Sequence, residues 1–317
     1  MCGLYGFSSY NDQPIKDISK LTNSLARQSA IRGTDATGIA YCRSGYVHIQ
    51  KEAQDANKLE FKHDDDVKVL IGHTRHSTQG SEKKNYNNHP FLGKTKTAKF
   101  ALAHNGVLFN DEGLKTKYRL PKTKIETDSY VAVQMIEYKH KLDVDSIKFM
   151  AEALEGSFAF SILDDKNNLY LIKGDNPISI IHFPRLKLYV YASTDEILYR
   201  ALINTSLLSE IKRKDYEEIV LEEGDILKIS PDGTLEKSVY NYHHYYGREW
   251  WQFGYPYRVA SPQSCENAEK QAYIEELKIA AMYQGIDPSV VDELISEGLT
   301  MEEVEEYIYD CELLYYK

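Results

Sequence analysis

Cysteine is scarce in this chain. Four occur in 317 residues, at Cys2, Cys42, Cys265 and Cys311. They lie far apart and form no Cys-x-x-Cys pair. That excludes a disulfide framework and a zinc ribbon, and it points to a reducing compartment. Long apolar runs are missing too, and none reaches the ~18 residues that a membrane span needs. The first residues carry neither a basic segment nor a long apolar core, so no secretory leader is expected. A cytoplasmic protein without a membrane segment is the expectation. No internal repeat and no low-complexity tract is visible. Clustered positive charge is also lacking. The formal net charge is −10, and a general nucleic-acid binder would need grouped Lys and Arg.

What is present is an ordinary globular composition, 42% hydrophobic and 27% charged. The length allows one large domain with something smaller attached. The acidity is local. From residue 265 to the end, 14 Asp and Glu stand against 3 Lys, a net charge of −11, so the preceding 264 residues are near neutral at +1.

Three textures divide the chain. Residues 1–239 alternate short strands with a few helices. "GLYGF", "TGIAYCR", "YVHIQK", "KVLIGHTRH" and "KFALAHNG" read as strands, as do "SFAFSILD", "NLYLIKG", "ISIIHF" and "KLYVYAS". "DSYVAVQMIEYKHK" reads as a helix with Val131, Met135 and Tyr138 on one stripe, and "TDEILYRALINT" as a second, shorter one. Residues 240–264 form an aromatic linker, with "YNYHHYYGREWWQFGYPYR" at its start. Only Arg248 and Arg258 bring positive charge there, so its aromatics are expected to anchor on protein rather than stack on bases. Residues 265–317 predict an acidic three-helix tail. Gly285 ends its first helix, Asp287 and Pro288 open the second, and Gly298 stops it. Thr300 and Glu303 have capping-box spacing at the start of the third. Met301, Val304, Ile308 and Cys311 then form an apolar stripe, which makes Cys311 a buried core thiol.

The chemistry begins at residue 2. Cys2 is small enough for Met1 to be trimmed, which would leave a thiol and a free α-amine on one residue. The reference values are ~8 for such an amine and ~8.5 for the thiol, so the amine can take the thiol proton near neutrality. Further along come "RGTDATG" from Arg32, "GHTRHSTQG" from Gly72, "LAHNG" from Leu102 and "ETDSYV" from Glu126. Each follows or ends a strand-like stretch, where a loop can present side chains. Asn105 offers a side-chain N–H and Gly106 a closely approachable main-chain N–H, a pair suited to holding an oxyanion. Arg75 can bind a carboxylate bidentately, and Asp128 can hold an ammonium. Together they suit the head group of an α-amino acid and the hydrolysis of its amide.

In this order and spacing the motifs resemble the class II glutamine amidotransferase domain, an N-terminal-nucleophile hydrolase. The likeness covers residues 1–239 and is greatest to the glutaminase half of the glutamine–fructose-6-phosphate aminotransferases, here without the isomerase domain. The resemblance implies an α+β protein, a four-layer α/β/β/α sandwich, carrying here a small C-terminal helical appendage. It implies hydrolysis of L-glutamine to glutamate and ammonia, with Cys2 as nucleophile and Asn105 and Gly106 as the oxyanion hole. Arg75, His76, Thr78 and Asp128 would bind substrate, and Arg32 would brace the nucleophile. No metal and no cofactor is expected. An ammonia-accepting enzyme acting in trans is the expected partner, without nucleic acid or membrane. His73, His89 and His104 fall within or near the motifs and read as structural. One departure stands out. The family loop carries a large aromatic directly after the arginine, and here His76 and Ser77 follow Arg75. An amidohydrolase acting on another amide and a non-catalytic regulatory or binding module are the alternatives.

Overall fold

The structure is a computed structural model that describes residues 2–243, positions 274, 277, 278 and 281, and residues 286–310. Thirteen strands lie in the first part. They are β1 (Gly3–Ser9), β2 (Ala36–Arg43), β3 (Tyr46–Glu52), β4 (Val69–Arg75), β5 (Phe91–Lys94), β6 (Lys99–Leu108) and β7 (Gly156–Asp164). Then follow β8 (Leu169–Lys173), β9 (Ser179–Phe183), β10 (Leu188–Ala192), β11 (Glu217–Ile219), β12 (Asp225–Ile229) and β13 (Leu235–Val239). The helices there are α1 (Ile18–Ser29), α2 (Asp111–Lys117), α3 (Tyr130–Tyr138), α4 (Val144–Ala153), α5 (Asp195–Ile203) and α6 (Leu208–Arg213).

The strands form two antiparallel sheets. The first has the order β11-β9-β10-β1-β4-β2-β3 and the second β13-β12-β8-β7-β6-β5. Side chains alternate between the faces of each strand, so both faces of both sheets find cover. Leu4, Ala40, Ile71, Ala101, Ala103, Ala159 and Leu171 meet between the sheets. Outside the first sheet, Phe7, Leu70 and Val190 pack beneath Leu21 and Leu25 of α1 and Leu198 and Leu202 of α5. Outside the second, Phe100, Leu102, Phe160 and Ile172 pack beneath Val131 and Met135 of α3 and Ile147 and Met150 of α4. The result is the four-layer α/β/β/α sandwich. Burial on both faces explains why "KFALA" and "SFAFSIL" are continuously apolar instead of alternating. One expected core position differs. Tyr138, at the end of α3, is 47% exposed and packs against Tyr118 and Phe149 at the rim of that layer.

The described start of the aromatic stretch is anchored. Tyr240 is buried and donates its hydroxyl to the Lys173 carbonyl at 2.9 Å, and Tyr242 meets Phe158 edge-on. Residues 244–264 lie outside the described residues. The chain divides into compact units of Met1–Tyr246 and Gly247–Lys317.

In the second unit α7 (Ser289–Ser296) and α8 (Met301–Asp310) share a small core of Leu277, Ala281, Val291, Val304 and Ile308. The Asp287 carboxylate accepts the Ser289 N–H at 2.9 Å at the start of α7. Thr300 and Glu303 exchange both bonds of the capping box, at 2.8 and 3.3 Å. Most of the expected first helix, and Cys311 with it, falls outside the described residues.

Candidate active site

The site gathers at one end of the sandwich, where β1 begins and β4 ends. β1 and β4 are antiparallel with Gly3 opposite Thr74, which sets Cys2 beside Arg75. β2 starts there as well, with Ala36 opposite Arg75. Two tethers fix this end of β1. The Ser193 hydroxyl accepts the Leu4 N–H at 2.8 Å, and Arg32 donates its Nε–H to the Cys2 carbonyl at 2.7 Å. Arg32 therefore braces residue 2 by its main chain, leaving the thiol free to act.

The thiol lies against the loop that follows β4. The His76 N–H approaches Cys2 Sγ at 3.4 Å, and the thiol reaches the His76 carbonyl at 3.5 Å. Burial pushes the Cys2 thiol up from its ordinary value. The His76 N–H and the nearby Arg75 charge pull it down, and Asp128 pushes it up again. Arg75 and Asp128 thus both act on the sulfur. The loop itself is held by Asp35 of the "RGTDATG" motif, whose carboxylate accepts the Ser77 N–H at 2.7 Å. Gly33 in the same motif passes so close to this corner that a Cβ would sit 2.4 Å from the Arg75 carbonyl carbon. The His76 ring is exposed, with Nδ1 4.0 Å from Asp35, and Thr78 is exposed at the loop's surface.

Arg75 is almost wholly buried and well tied. One terminal nitrogen donates to Asn88 Oδ1 at 2.7 Å, and the other donates to the carbonyls of Gln79 and Gly80 at 2.6 and 2.8 Å. Asn88 is held in turn, donating to the Glu82 carbonyl at 2.8 Å. Lys51 on β3 secures the same segment, with Nζ at 2.5 Å from the Asn88 carbonyl and 3.0 Å from that of Pro90. Burial and the Arg75 charge lower the Lys51 ammonium to about 8.

Asn105 and Gly106 lie on β6 of the facing sheet. Asn105 is buried, and its side-chain N–H group has no partner among the described residues. An unpaired buried donor is costly, and this one is left open to accept a partner. Gly106 has φ +142°, and a Cβ there would lie 1.8 Å from the Ser157 carbonyl oxygen. Only glycine fits. Asp128 precedes α3, and its Oδ2 accepts the Leu108 N–H at 2.6 Å. The three motif histidines form a buried group. His73 and His104 link the two sheets, His73 Nε2 lying 2.9 Å from the His104 carbonyl. The His89 ring lies tilted between its neighbours, its centroid 4.2 Å from that of His73 and 4.3 Å from that of Phe91. Burial keeps all three imidazoles neutral, lowering His73 to about 3.

Arg32, Arg75, His76 and Asp128 thus act on Cys2 directly, whereas Asn105 and Gly106 lie on β6 beside His104, whose carbonyl meets His73 of β4. The sequence reading missed Asp35, Asn88 and Ser129 as supports. Asp35 sits inside a quoted motif and Ser129 directly follows Asp128. Asn88 carried no such signal, since its partner depends on how the loop folds back.

Residues 73–199 match the family described as glutamine amidotransferase domain. The chain is 30% identical over 248 residues to the isomerizing glutamine–fructose-6-phosphate aminotransferase of Staphylococcus aureus, covering 74% of this chain and 38% of that protein. Its counterpart in Staphylococcus epidermidis is 32% identical over 193 residues, covering 57% and 30%. The fold is shared with glutamine phosphoribosylpyrophosphate amidotransferase from B. subtilis, with a TM-score of 0.60 at 21% identity over 77% of this chain and 50% of that one.

The chain carries a class II glutamine amidotransferase domain.

This amidotransferase domain has the α+β fold of the N-terminal-nucleophile hydrolases. The chain spans 38% of the length of the S. aureus relative. Among the described residues of the amidotransferase, no helix is long and apolar enough to cross a membrane, and no cluster of His, Cys, Asp and Glu could hold a metal ion.

Proposed function

We propose that this chain hydrolyses L-glutamine to glutamate and ammonia, and that the ammonia passes to an acceptor enzyme in trans. Residues 1–239 form the glutaminase, 240–264 an aromatic linker, and 265–317 an acidic helical tail. The observation that carries the reading is Cys2 itself. It stands at the head of β1, is braced by Arg32 through its carbonyl, and feels the charges of Arg75 and Asp128.

The reaction then follows from these positions. With Met1 removed, the Cys2 α-amine takes the thiol proton. The sulfur bonds to the carboxamide carbon of glutamine, and the oxyanion is met by the Asn105 side-chain N–H and the Gly106 main-chain N–H. Arg75 receives the α-carboxylate and Asp128 the α-ammonium, with His76 and Thr78 on the loop over the substrate. Collapse of the adduct expels ammonia together with the proton from the amine, leaving a thioester. Water cleaves the thioester, releasing glutamate and the thiol. No cofactor enters the balance. The reduced thiol fits a cytoplasmic setting.

A glutaminase assay on the purified chain and on Cys2→Ala tests the reading, with intact mass read on the active protein. Turnover by the wild type alone, from a species lacking Met1, is expected. Equal turnover by Cys2→Ala, or full activity with Met1 attached, would overturn it.

A further inference from the structure

His104 has a connection that His73 and His89 lack among the described residues. Its Nδ1 lies 2.8 Å from the Ser129 hydroxyl, and that hydroxyl lies 3.3 Å from Asp128 Oδ1. The second carboxylate oxygen, Oδ2, accepts the Leu108 N–H at 2.6 Å. Both oxygens of Asp128 are thus tied to β6, one by its main chain and one through the side chain of His104. The same strand carries Asn105 and Gly106.

The direction of the bonds can be argued. His104 is fully buried and stacks on Phe160 with ring centroids 4.6 Å apart. Burial favours its neutral form, which has one N–H to place. The Asp128 carboxylate can only accept, so the Ser129 hydrogen is drawn to Oδ1 and the Ser129 oxygen is left to receive a hydrogen from the ring. A proton on Nδ1 is satisfied by the Ser129 oxygen. That leaves the hydroxyl hydrogen free to point at Asp128 Oδ1.

We infer that His104 and Ser129 form a hydrogen-bond relay that orients the Asp128 carboxylate toward the α-ammonium of the substrate. The relay makes His104 and Ser129 positioning residues rather than packing alone. It fixes the ammonium site to the strand that bears the oxyanion hole, so the distance from amine to reacting amide is set by one rigid element. The inference rests on the reading of Asp128 as the binder of the α-amine.

Steady-state kinetics on two substrates test it: glutamine, and glutaramate, which is glutamine without the α-amine. Ser129→Ala is expected to raise KM for glutamine about three- to tenfold, with kcat and the constants for glutaramate changed less than about twofold. Ser129→Thr keeps the hydroxyl and is expected to restore KM. His104→Asn, which keeps an N–H near the Nδ1 position, is expected to bind glutamine more tightly than His104→Gln. That pair carries the same test should Ser129→Ala misfold. Equal losses on both substrates, or an unchanged KM, would overturn the relay while leaving Asp128 in its role. A wild type that turns over glutaramate as readily as glutamine would overturn the reading of Asp128 and the relay together.

Discussion

Arg75 and Asn88 are joined by a 2.7 Å hydrogen bond from the guanidinium to the amide oxygen, with both side chains buried. The bond fixes the plane of the fork that would receive a carboxylate, and Lys51 anchors the Asn88 end. A charge-assisted bond of this kind contributes about 1.5–3 kcal/mol. Asn88→Ala is therefore expected to raise KM for glutamine about tenfold or more, with a smaller change in kcat. Asn88→Asp is expected to be no better, because a carboxylate beside Arg75 would neutralise the charge the substrate needs. A glutamine titration of both variants checks this, and wild-type KM in Asn88→Asp would refute it.

The unpaired N–H group of Asn105 makes a second expectation. If it meets the oxyanion, it matters most in the transition state. Asn105→Ala should lower kcat about 10²–10³-fold and move KM much less. A variant that lost affinity and kept its turnover number would put Asn105 in ground-state binding instead.

Acid should destabilise the fold through its buried histidines. His73, His89 and His104 all have folded values below the ordinary imidazole value near ~6.5, because burial penalises the charged form. The unfolded chain thus binds more protons than the folded one at mildly acid pH. Their contribution is fully present above ~6.5 and is lost as pH falls toward about 3, the value for His73. Each such group adds up to about 1.4 kcal/mol per pH unit. His73→Gln keeps a donor toward the His104 carbonyl and cannot titrate. Urea midpoints between pH 7 and pH 5 should fall less steeply for this variant than for the wild type.

The acidic tail gives a fourth expectation. Its described residues hold a core of their own around Val291 and Val304, and residues 265–317 carry a net −11. Truncation after residue 246, at the end of the first unit, should leave glutamine hydrolysis intact. If the tail docks a basic acceptor enzyme, stimulation by that partner should drop on truncation, and in the full chain it should weaken with salt as exposed charges are screened over about 8 Å. A truncated chain stimulated as strongly as the whole would rule the docking role out.

The strands were legible because two-sided burial writes them as apolar runs. "GLYGF", "KFALAHNG" and "KLYVYAS" all lie in sheets. The helix α1 went unread, although Ile18, Leu21 and Leu25 sit at helical spacing, because polar residues fill most of the segment between them. The strand β13 also went unread, being mostly exposed at a sheet edge. At the candidate site, residue types and chain order singled out Cys2, Arg75, Asn105 and Asp128. Their supports were another matter. Asn88 under Arg75 and His104 behind Asp128 depend on strand register and loop folding across tens of residues, which local pattern does not encode. Tyr138 shows the converse: its spacing placed it on the core stripe, and the helix ended just where that stripe left the core.

Chain ends ordinarily fray, opening and closing far more easily than the rest of a protein. Residue 2 here adjoins a strand paired on both sides, with β10 along one edge and β4 along the other. Opening that end requires parting the middle of a seven-stranded sheet. The amide hydrogens of β1 should therefore be among the slowest in the chain to exchange with solvent, near the limit set by global unfolding. Exchange of the β1 amides in rising denaturant should then follow the same curve as loss of the whole fold, with no earlier phase of its own.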